Sequence, residues 1–218
     1  MKIAMLGGSF NPIHIGHLAL ADSVCCLLGY DRVLFVPTYQ PPHKKMAAGS
    51  AMSDDRFLMV QAAIFGDERF IAEPCEIERG GVSFTWDTVL FLEKKYKNEL
   101  DGKIGVIFGE DLLADYDKWE RAKELSERAD LIVACRPKDA GQNAAFSNVP
   151  TEKYGVSPHA WSRDTFPYPH KIVENPQIAL SSSEIRQKIA TKGAWRYLVN
   201  EGVFHYIKSG NLYGYGNF

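Results

Sequence analysis

"GGSFNPIHIGH" spans residues 7–17 and follows directly on a short, mostly apolar run, Lys2–Leu6. Two glycines open the stretch and two histidines close it. An apolar run that stops at glycines predicts a buried strand of a parallel sheet. Apolar residues then recur at helical spacing over Ile15–Leu28, with Gly29 as the predicted C-cap. The stretch therefore predicts a strand–turn–helix unit, which is the beginning of an α/β fold.

The alternation of strand and helix continues along the chain. Further strands are predicted at Val33–Val36, Lys103–Phe108, Leu131–Cys135 and Lys171–Val173, with extended segments at Phe70–Ile77 and Ile178–Leu180. Further helices are predicted at Asp54–Phe65 with Ser53 as N-cap, Thr85–Tyr96, Trp119–Ser126, Ser181–Ala190 and Val203–Lys208. Such alternation implies crossover connections and parallel strands. We predict a Rossmann-like, doubly wound α/β fold with helices on both faces of the sheet.

The expected organisation is a single domain over residues 1–218. A small C-terminal helical part begins at about residue 181, and a proline-rich, loop-rich excursion occupies about 138–170. A second long loop spans 37–52, and loops of this length in compact domains are usually functional or disordered. In doubly wound sheets, ligands bind beyond the carboxyl ends of the strands, which is where residues 7–17 lie.

Composition limits the classes of function. The net charge of −2 and the pI of about 6.3 disfavour long nucleic acid as the main partner. No run is long enough for a membrane span or for a signal-peptide core. The four cysteines show neither a disulfide framework nor a zinc spacing; they are Cys25, Cys26, Cys75 and Cys135. We expect free thiols and a cytoplasmic protein.

The glycines and histidines of the opening stretch favour an anion. Backbone N–H groups at Gly7 and Gly8, with the start of the next helix, suit phosphate oxygens. His14 and His17 share a face if both lie in the first helical turn, and an imidazole can donate to phosphate. Their pKa near neutrality would let them add charge only as it develops. The stretch is neither a Walker loop nor a Gly-x-Gly-x-x-Gly fingerprint. Two surface histidines, or a metal pair lacking an obvious third ligand, are the alternatives.

The opening stretch resembles the His-x-Gly-His motif of the nucleotidylyltransferase superfamily, and "LSSSEIR" at 180–186 resembles its second motif. Five more stretches are similar to bacterial nicotinate-nucleotide adenylyltransferases: "PTYQPPHK" (37–44), "SFTWDT" (83–88), "GEDLLADYDKW" (109–119), "ACRP" (134–137) and "VFHYIKSGNLYG" (203–214). The resemblance covers nearly the whole chain except about 138–170. Class I aminoacyl-tRNA synthetases share His-Ile-Gly-His, but their second signature loop and tRNA-binding domains have no counterpart here.

The resemblance implies transfer of the adenylyl group of ATP to nicotinate mononucleotide, which gives deamido-NAD and pyrophosphate in NAD biosynthesis. Magnesium would arrive with ATP, held by its phosphates and by no protein ligand. The implied partners are these two nucleotides, with neither nucleic acid nor membrane, and a homo-oligomer is left open.

The resemblance also assigns residues to the two substrates. The implied ATP-binding residues are Gly8, Ser9, Phe10, His14, His17, Gly109, Asp111, Ser181, Ser182, Ser183 and Arg186. Four residues would carry the charge of the reacting phosphates: His14, His17, Lys44 and Arg186. Nicotinate mononucleotide would contact Thr85, Trp119 and Arg136. Glu110 departs from the family, which usually has a small residue between Gly109 and Asp111.

Three other functions stay open at this point. The acceptor could be nicotinamide mononucleotide or another phosphate, such as phosphopantetheine. The same fold could serve as a nucleotide sensor without catalysis, although every charged motif position is present. A structural or RNA-binding module would require a basic surface, which the acidic pI disfavours.

Overall fold

The computed structural model describes residues 1–40, 49–135, 161–176 and 178–216. Within these residues, parallel strands form one sheet in the order β3-β2-β1-β4-β5-β6. The strands are β1 (Ile3–Gly8), β2 (Arg32–Pro37), β3 (Phe70–Ala72), β4 (Gly105–Gly109), β5 (Asp130–Cys135) and β6 (His170–Glu174). This order belongs to doubly wound folds and confirms the predicted Rossmann-like class.

The α-helices are α1 (Ile15–Leu28), α2 (Ser53–Ile64), α3 (Cys75–Arg79), α4 (Thr85–Lys95), α5 (Ala122–Arg128), α6 (Ser182–Ala190) and α7 (Glu201–Ser209). Three 3₁₀ segments accompany them in the described part of the chain: Glu110–Lys118, Arg196–Leu198 and Leu212–Gly214. No helix in the described ranges is both long and apolar enough to cross a membrane.

The sheet separates two hydrophobic cores, and β1 contributes to both. Ala4 and Leu6 face the core that α1, α2, α6 and α7 cover. Ile3 and Met5 face the other core, which is covered by α3, α4, α5 and the 3₁₀ segment after β4. Because alternate strand residues point to opposite faces, a strand buried on both sides needs an unbroken apolar run. Helices therefore cover both faces, as predicted.

The chain reverses its direction of winding at β1, which lies between β2 and β4. Gly8 at the end of β1 is in register with Pro37 of β2, and β4 ends nearby at Gly109. In doubly wound sheets the crevice beyond such a switch point is the usual ligand site. The opening stretch therefore begins inside that crevice.

Two segments predicted to be extended are not strands for most of their length. Strand β3 ends at Ala72, and Cys75–Ile77 belong to α3. Pro74 precedes that helix and Glu76 and Glu78 lie in its first turn, which are features that favour a helix start. Over 178–180, the Ile178 N–H donates to Pro176 O instead of to a neighbouring strand.

The predicted helix Trp119–Ser126 is also wrong at its start. A 3₁₀ segment occupies Glu110–Lys118, and α5 begins only at Ala122. Arg121 has φ of +53°, a left-handed conformation that no helix can continue through. Ser53 is the first residue of α2 and not its N-cap; Met52 holds that position and makes no side-chain cap. Most of the excursion predicted at about 138–170 lies outside the described residues, which resume at 161.

Candidate active site

The two histidines of the opening stretch meet at the start of α1. His14 is extended at the N-cap position, and its N–H donates to Nδ1 of His17 at 3.2 Å. The imidazoles stack with 3.7 Å between ring centroids and 27° between planes. The expectation that they share one face of the first turn is therefore confirmed.

The hydrogen bond between them decides where the His17 proton lies. An Nδ1 that accepts a hydrogen bond carries no proton, so neutral His17 is protonated on Nε2 and can donate from there. His14 Nδ1 is buried and has no hydrogen-bond partner among the described residues. Buried polar atoms are nearly always satisfied, so an unsatisfied one indicates a position for a ligand.

Both imidazoles are neutral at neutral pH. Burial lowers the pKa of His14 to about 4. Burial, and then the neighbouring His14, lowers the pKa of His17 well below its usual value. The expected pKa near neutrality is therefore wrong for the unliganded protein. Without a ligand, the pair can act as hydrogen-bond donors, whereas a polyanion placed against it would favour the protonated forms.

This burial predicts that acid destabilises the protein through His14. The unfolded chain binds a proton at His14 near pH 6.5, but the folded chain binds it only near pH 4. Stability is therefore fully present above pH 6.5 and falls as the pH drops towards 4, by up to about 1.4 kcal/mol per pH unit. Between pH 7 and 5.5, we expect the free energy of unfolding in urea to fall by about 1 kcal/mol more for the wild type than for His14→Gln. Equal losses would contradict the buried, neutral histidine.

Gly16 and Phe10 show how tightly the surroundings of the two histidines are packed. A Cβ on Gly16 would lie 3.1 Å from His14 Nδ1, so any larger residue would displace that ring. Phe10 has φ of +43° and is 1% exposed, with its ring edge-on to His17 at 5.1 Å between centroids. Because this ring is fully buried, Phe10 can meet a ligand through its backbone only.

The second motif, at the start of α6, is docked against the first. Ser181 caps α6 by accepting from the Glu184 N–H at 3.2 Å. Ser182 Oγ donates to Pro12 O at 2.8 Å. Arg186 donates from Nη1 to Asn11 O at 2.7 Å and from Nη2 to Ser183 Oγ at 3.1 Å. The guanidinium thus lies on the loop that leads to the histidines, as the sequence predicts.

The end of β4 contributes Gly109 and Asp111. The Asp111 carboxylate folds back over Gly109 and occupies the place where a Cβ would be. The unusual Glu110 between them forms an ion pair with Arg163 at 3.2 Å, and the Arg163 side chain is only 12% exposed. The described end of the excursion therefore compensates the extra negative charge beside this site.

Of the residues assigned to the mononucleotide, Thr85 and Trp119 belong to the elements that cover the second face of the sheet. Thr85 is the first residue of α4, where backbone N–H groups have no partner inside the helix. Trp119 is half-buried, with its ring 5.3 Å from Phe108 and 5.2 Å from Tyr116 between centroids. Lys44 and Arg136, which the sequence also assigns, lie outside the described residues.

The sequence analysis did not identify the buried side chains that hydrogen-bond with the loop after β1 from beneath. Asn11 is 3% exposed, and its Oδ1 accepts from the Ala51 N–H at 3.2 Å and from the Tyr213 hydroxyl at 2.8 Å. Arg56 donates to Ser9 O at 2.7 Å from the buried face of α2. The available signal was the spacing of Arg56 with the apolar Met59, Val60 and Ala63, which places a charge on the core side of the helix.

Fold and site define a Rossmann-like α/β protein in which two imidazoles and a guanidinium meet at the loop after the first strand. The cytidylyltransferase-like family model matches residues 5–188. A relative from Treponema pallidum, named a probable nicotinate-nucleotide adenylyltransferase, is 38% identical over 213 residues, covering 98% of this chain and 99% of its own. A relative of the same name from Borreliella burgdorferi is 34% identical, with coverage of 98% and 97%. The chain therefore belongs to the cytidylyltransferase-like family and, within it, to the nicotinate-nucleotide adenylyltransferases.

Solved structures share the fold. The nicotinic acid mononucleotide adenylyltransferase of Plasmodium falciparum, complexed with APC, superposes with a TM-score of 0.70 at 17% identity, over 100% of this chain and 99% of that one. A Vibrio parahaemolyticus structure, titled as a putative nicotinate-nucleotide adenylyltransferase, gives 0.63 at 18% identity, with coverage of 98% and 96%. At these identities the likeness establishes the architecture alone.

Proposed function

We propose that this protein transfers the adenylyl group of ATP to nicotinate mononucleotide, forming deamido-NAD and pyrophosphate in NAD biosynthesis. The observation that carries the proposal is the contact of Arg186 with Asn11 O, which places a guanidinium on the loop that presents the stacked histidines. The names of the curated relatives support the same activity. So does the P. falciparum neighbour, which is titled as a complex with NaAD.

The phosphates of ATP would bind across the loop after β1. Backbone groups of Gly8, Ser9 and Phe10 would face them, together with the imidazoles. Arg186 suits the outer phosphates because a guanidinium fork binds several oxygens at once. The start of α6, with Ser181, Ser182 and Ser183, adds backbone and hydroxyl donors. Gly109 and Asp111 would hold the ribose, and Lys44 would reach the triphosphate.

Chemistry in such a site is positioning and charge stabilisation. An oxygen of the mononucleotide phosphate attacks the α-phosphorus of ATP in line, and the bond to the pyrophosphate oxygen breaks. The attacking phosphate is already anionic, so the reaction requires neither a protein nucleophile nor a general base. Nε2–H of His17 would donate to oxygens that gain charge in the transition state. Arg186 and Lys44 would offset the charge on the departing pyrophosphate.

The nicotinate ring would bind between the start of α4 and Trp119. A pyridine carboxylate needs N–H donors, which the Thr85 backbone offers at a helix N-terminus. A flat ring needs a flat partner, and Trp119 is held in place by Phe108 and Tyr116. Arg136 would contact the mononucleotide.

We also propose that magnesium enters with ATP. The groups around the loop are guanidinium, imidazole and backbone N–H donors, which complement phosphate oxygens and not a bare cation. Bound to the phosphates, the ion would neutralise part of the charge of the leaving pyrophosphate. Free thiols at Cys25, Cys26 and Cys75 support the cytoplasm as the compartment.

The deciding experiment offers ATP and magnesium with the acid and amide mononucleotides in equal amounts, and weighs the dinucleotide products. We expect mainly deamido-NAD, because an amide NH₂ cannot accept from N–H donors aimed at a carboxylate. An excess of the amide product would reject nicotinate mononucleotide as the preferred acceptor. Pyrophosphate release without an added acceptor would reject the transfer itself. So would the absence of any pyrophosphate release.

A further inference from the structure

Arg56 is a charged residue in a core position. Its side chain lies on the face of α2 that also buries Met59 and Val60, and it is 1% exposed. Nη1 donates to Ser9 O at 2.7 Å, and Nη2 donates to Tyr39 O at 3.3 Å. Buried Nε has no hydrogen-bond partner among the described residues. A fully buried arginine is rare unless it is paired.

The Arg56 charge has no acidic counterpart in the described ranges. None of the ion pairs found there includes Arg56, and its guanidinium donates to the carbonyl oxygens of Ser9 and Tyr39. The stretch 41–48, which follows Tyr39 and Gln40 in the chain, contains no Asp or Glu. Burial lowers the pKa of the guanidinium, yet an arginine stays protonated. A buried cation without a counter-ion costs stability. An anion bound nearby from outside the chain would lower that cost through its charge.

The bond to Ser9 O also sets the direction of the next N–H. The Asn11–Pro12 bond is the cis peptide of the described chain, so the Ser9–Phe10 peptide is trans. In a planar trans peptide, C=O and N–H point in opposite directions. Arg56 draws Ser9 O towards the core, and the Phe10 N–H therefore points the other way. Arg186 holds Asn11 O two residues on, so two guanidinium groups fix the carbonyls of one short loop.

We propose that Arg56 is a positioning residue of the ATP site: its fork orients the Ser9–Phe10 peptide so that N–H faces the polyphosphate, and its unpaired charge attracts that polyphosphate. In this proposal the polyphosphate is the counter-ion that the described residues do not supply. This proposal rests on the proposed function, because it needs a triphosphate on the loop after β1.

Three substitutions separate the charge from the hydrogen bonds. Arg56→Lys keeps the charge but cannot bind both carbonyls as a fork. Arg56→Gln keeps a donor without the charge, and Arg56→Met removes both. The control is Arg32→Gln, since Arg32 forms an ion pair with Glu99 at 3.0 Å on the surface near the opposite ends of the strands. Titration calorimetry with MgATP and with inorganic pyrophosphate gives affinities, and steady-state rates give kcat and both KM values.

We expect Arg56→Gln and Arg56→Met to lower the affinity for MgATP and for pyrophosphate by about tenfold or more. The KM for the mononucleotide should stay within about threefold of the wild-type value. Arg56→Lys should bind MgATP within about threefold of wild type but lose about tenfold in kcat, because one carbonyl is released. Arg32→Gln should match wild type in every measurement. Neutral variants that bind ATP normally would overturn the proposal.

Folding is checked separately by thermal unfolding without ligand. If the neutral variants do not fold, Arg56→Lys decides: unchanged kcat overturns the positioning role, and a selective loss in kcat supports it. Failure of the proposed function looks different, because wild-type protein itself would then bind no ATP or form no dinucleotide.

Discussion

His17→Ala should lower kcat by roughly 10²–10³, the loss typical of one preorganised donor to a charged transition state. His17 Nδ1 is occupied by the His14 N–H at 3.2 Å, so Nε2–H is held in one direction before substrate arrives. The Phe10 ring packs against the His17 ring and further restricts its orientation. Because the donor acts chiefly on developing charge, KM for ATP should change much less than kcat.

The measurement is the steady-state rate of deamido-NAD formation with both substrates varied. His205→Ala is the matched control, because His205 lies on the exposed side of α7 and contacts Glu201 at 3.6 Å. We expect that variant to turn over at the wild-type rate. Near-normal turnover of His17→Ala would remove His17 from the catalytic role assigned to it.

Arg186→Ala should have the larger effect on kcat/KM for ATP, a fall of about 10³-fold, as for the loss of an arginine on a transferring phosphoryl group. The variant loses the charge proposed to bind the outer phosphates. It also releases Asn11 O, which Arg186 holds at 2.7 Å, and with it the loop conformation. Arg186→Lys should recover part of the activity, since an ammonium restores the charge without the fork.

Lys188→Ala provides the comparison for Arg186. Lys188 lies on the same helix, two residues further on, and its ammonium group lies 3.9 Å from the Glu184 carboxylate. We expect wild-type kinetics from it, which separates the loss of one particular cation from a general loss of positive charge on α6. A kcat/KM for Arg186→Ala within tenfold of wild type would show that the outer phosphates bind elsewhere.

The sheet and the pairing of the two histidines could be predicted because both depend on local patterns in the sequence. Strands such as β1 are buried on two faces and read as apolar runs. The three-residue spacing of His14 and His17 places them on one face once this segment begins a helix. The start of α6 is equally local, since Ser181, predicted as its first residue, lies one position earlier as its N-cap.

The sequence-based predictions fail where the structure depends on contacts between residues that are distant in the sequence. Cys75–Ile77 form part of a five-residue helix, which is too short to show helical periodicity. The lowered pKa of His14 depends on burial by the folded loop, which no local pattern contains. The spacing of Arg56 with Met59 and Val60 places it on the buried face of α2, but only the fold shows that Ser9 O and Tyr39 O accept its hydrogen bonds.

The Tyr213 hydroxyl and Asn11 Oδ1 join positions 202 residues apart. During synthesis, the ribosome makes the loop, both imidazoles and Arg186 well before it makes this hydroxyl. While residue 213 is still inside the exit tunnel, Asn11 cannot receive this hydrogen bond. A chain cut short before that tyrosine would lack the bond permanently.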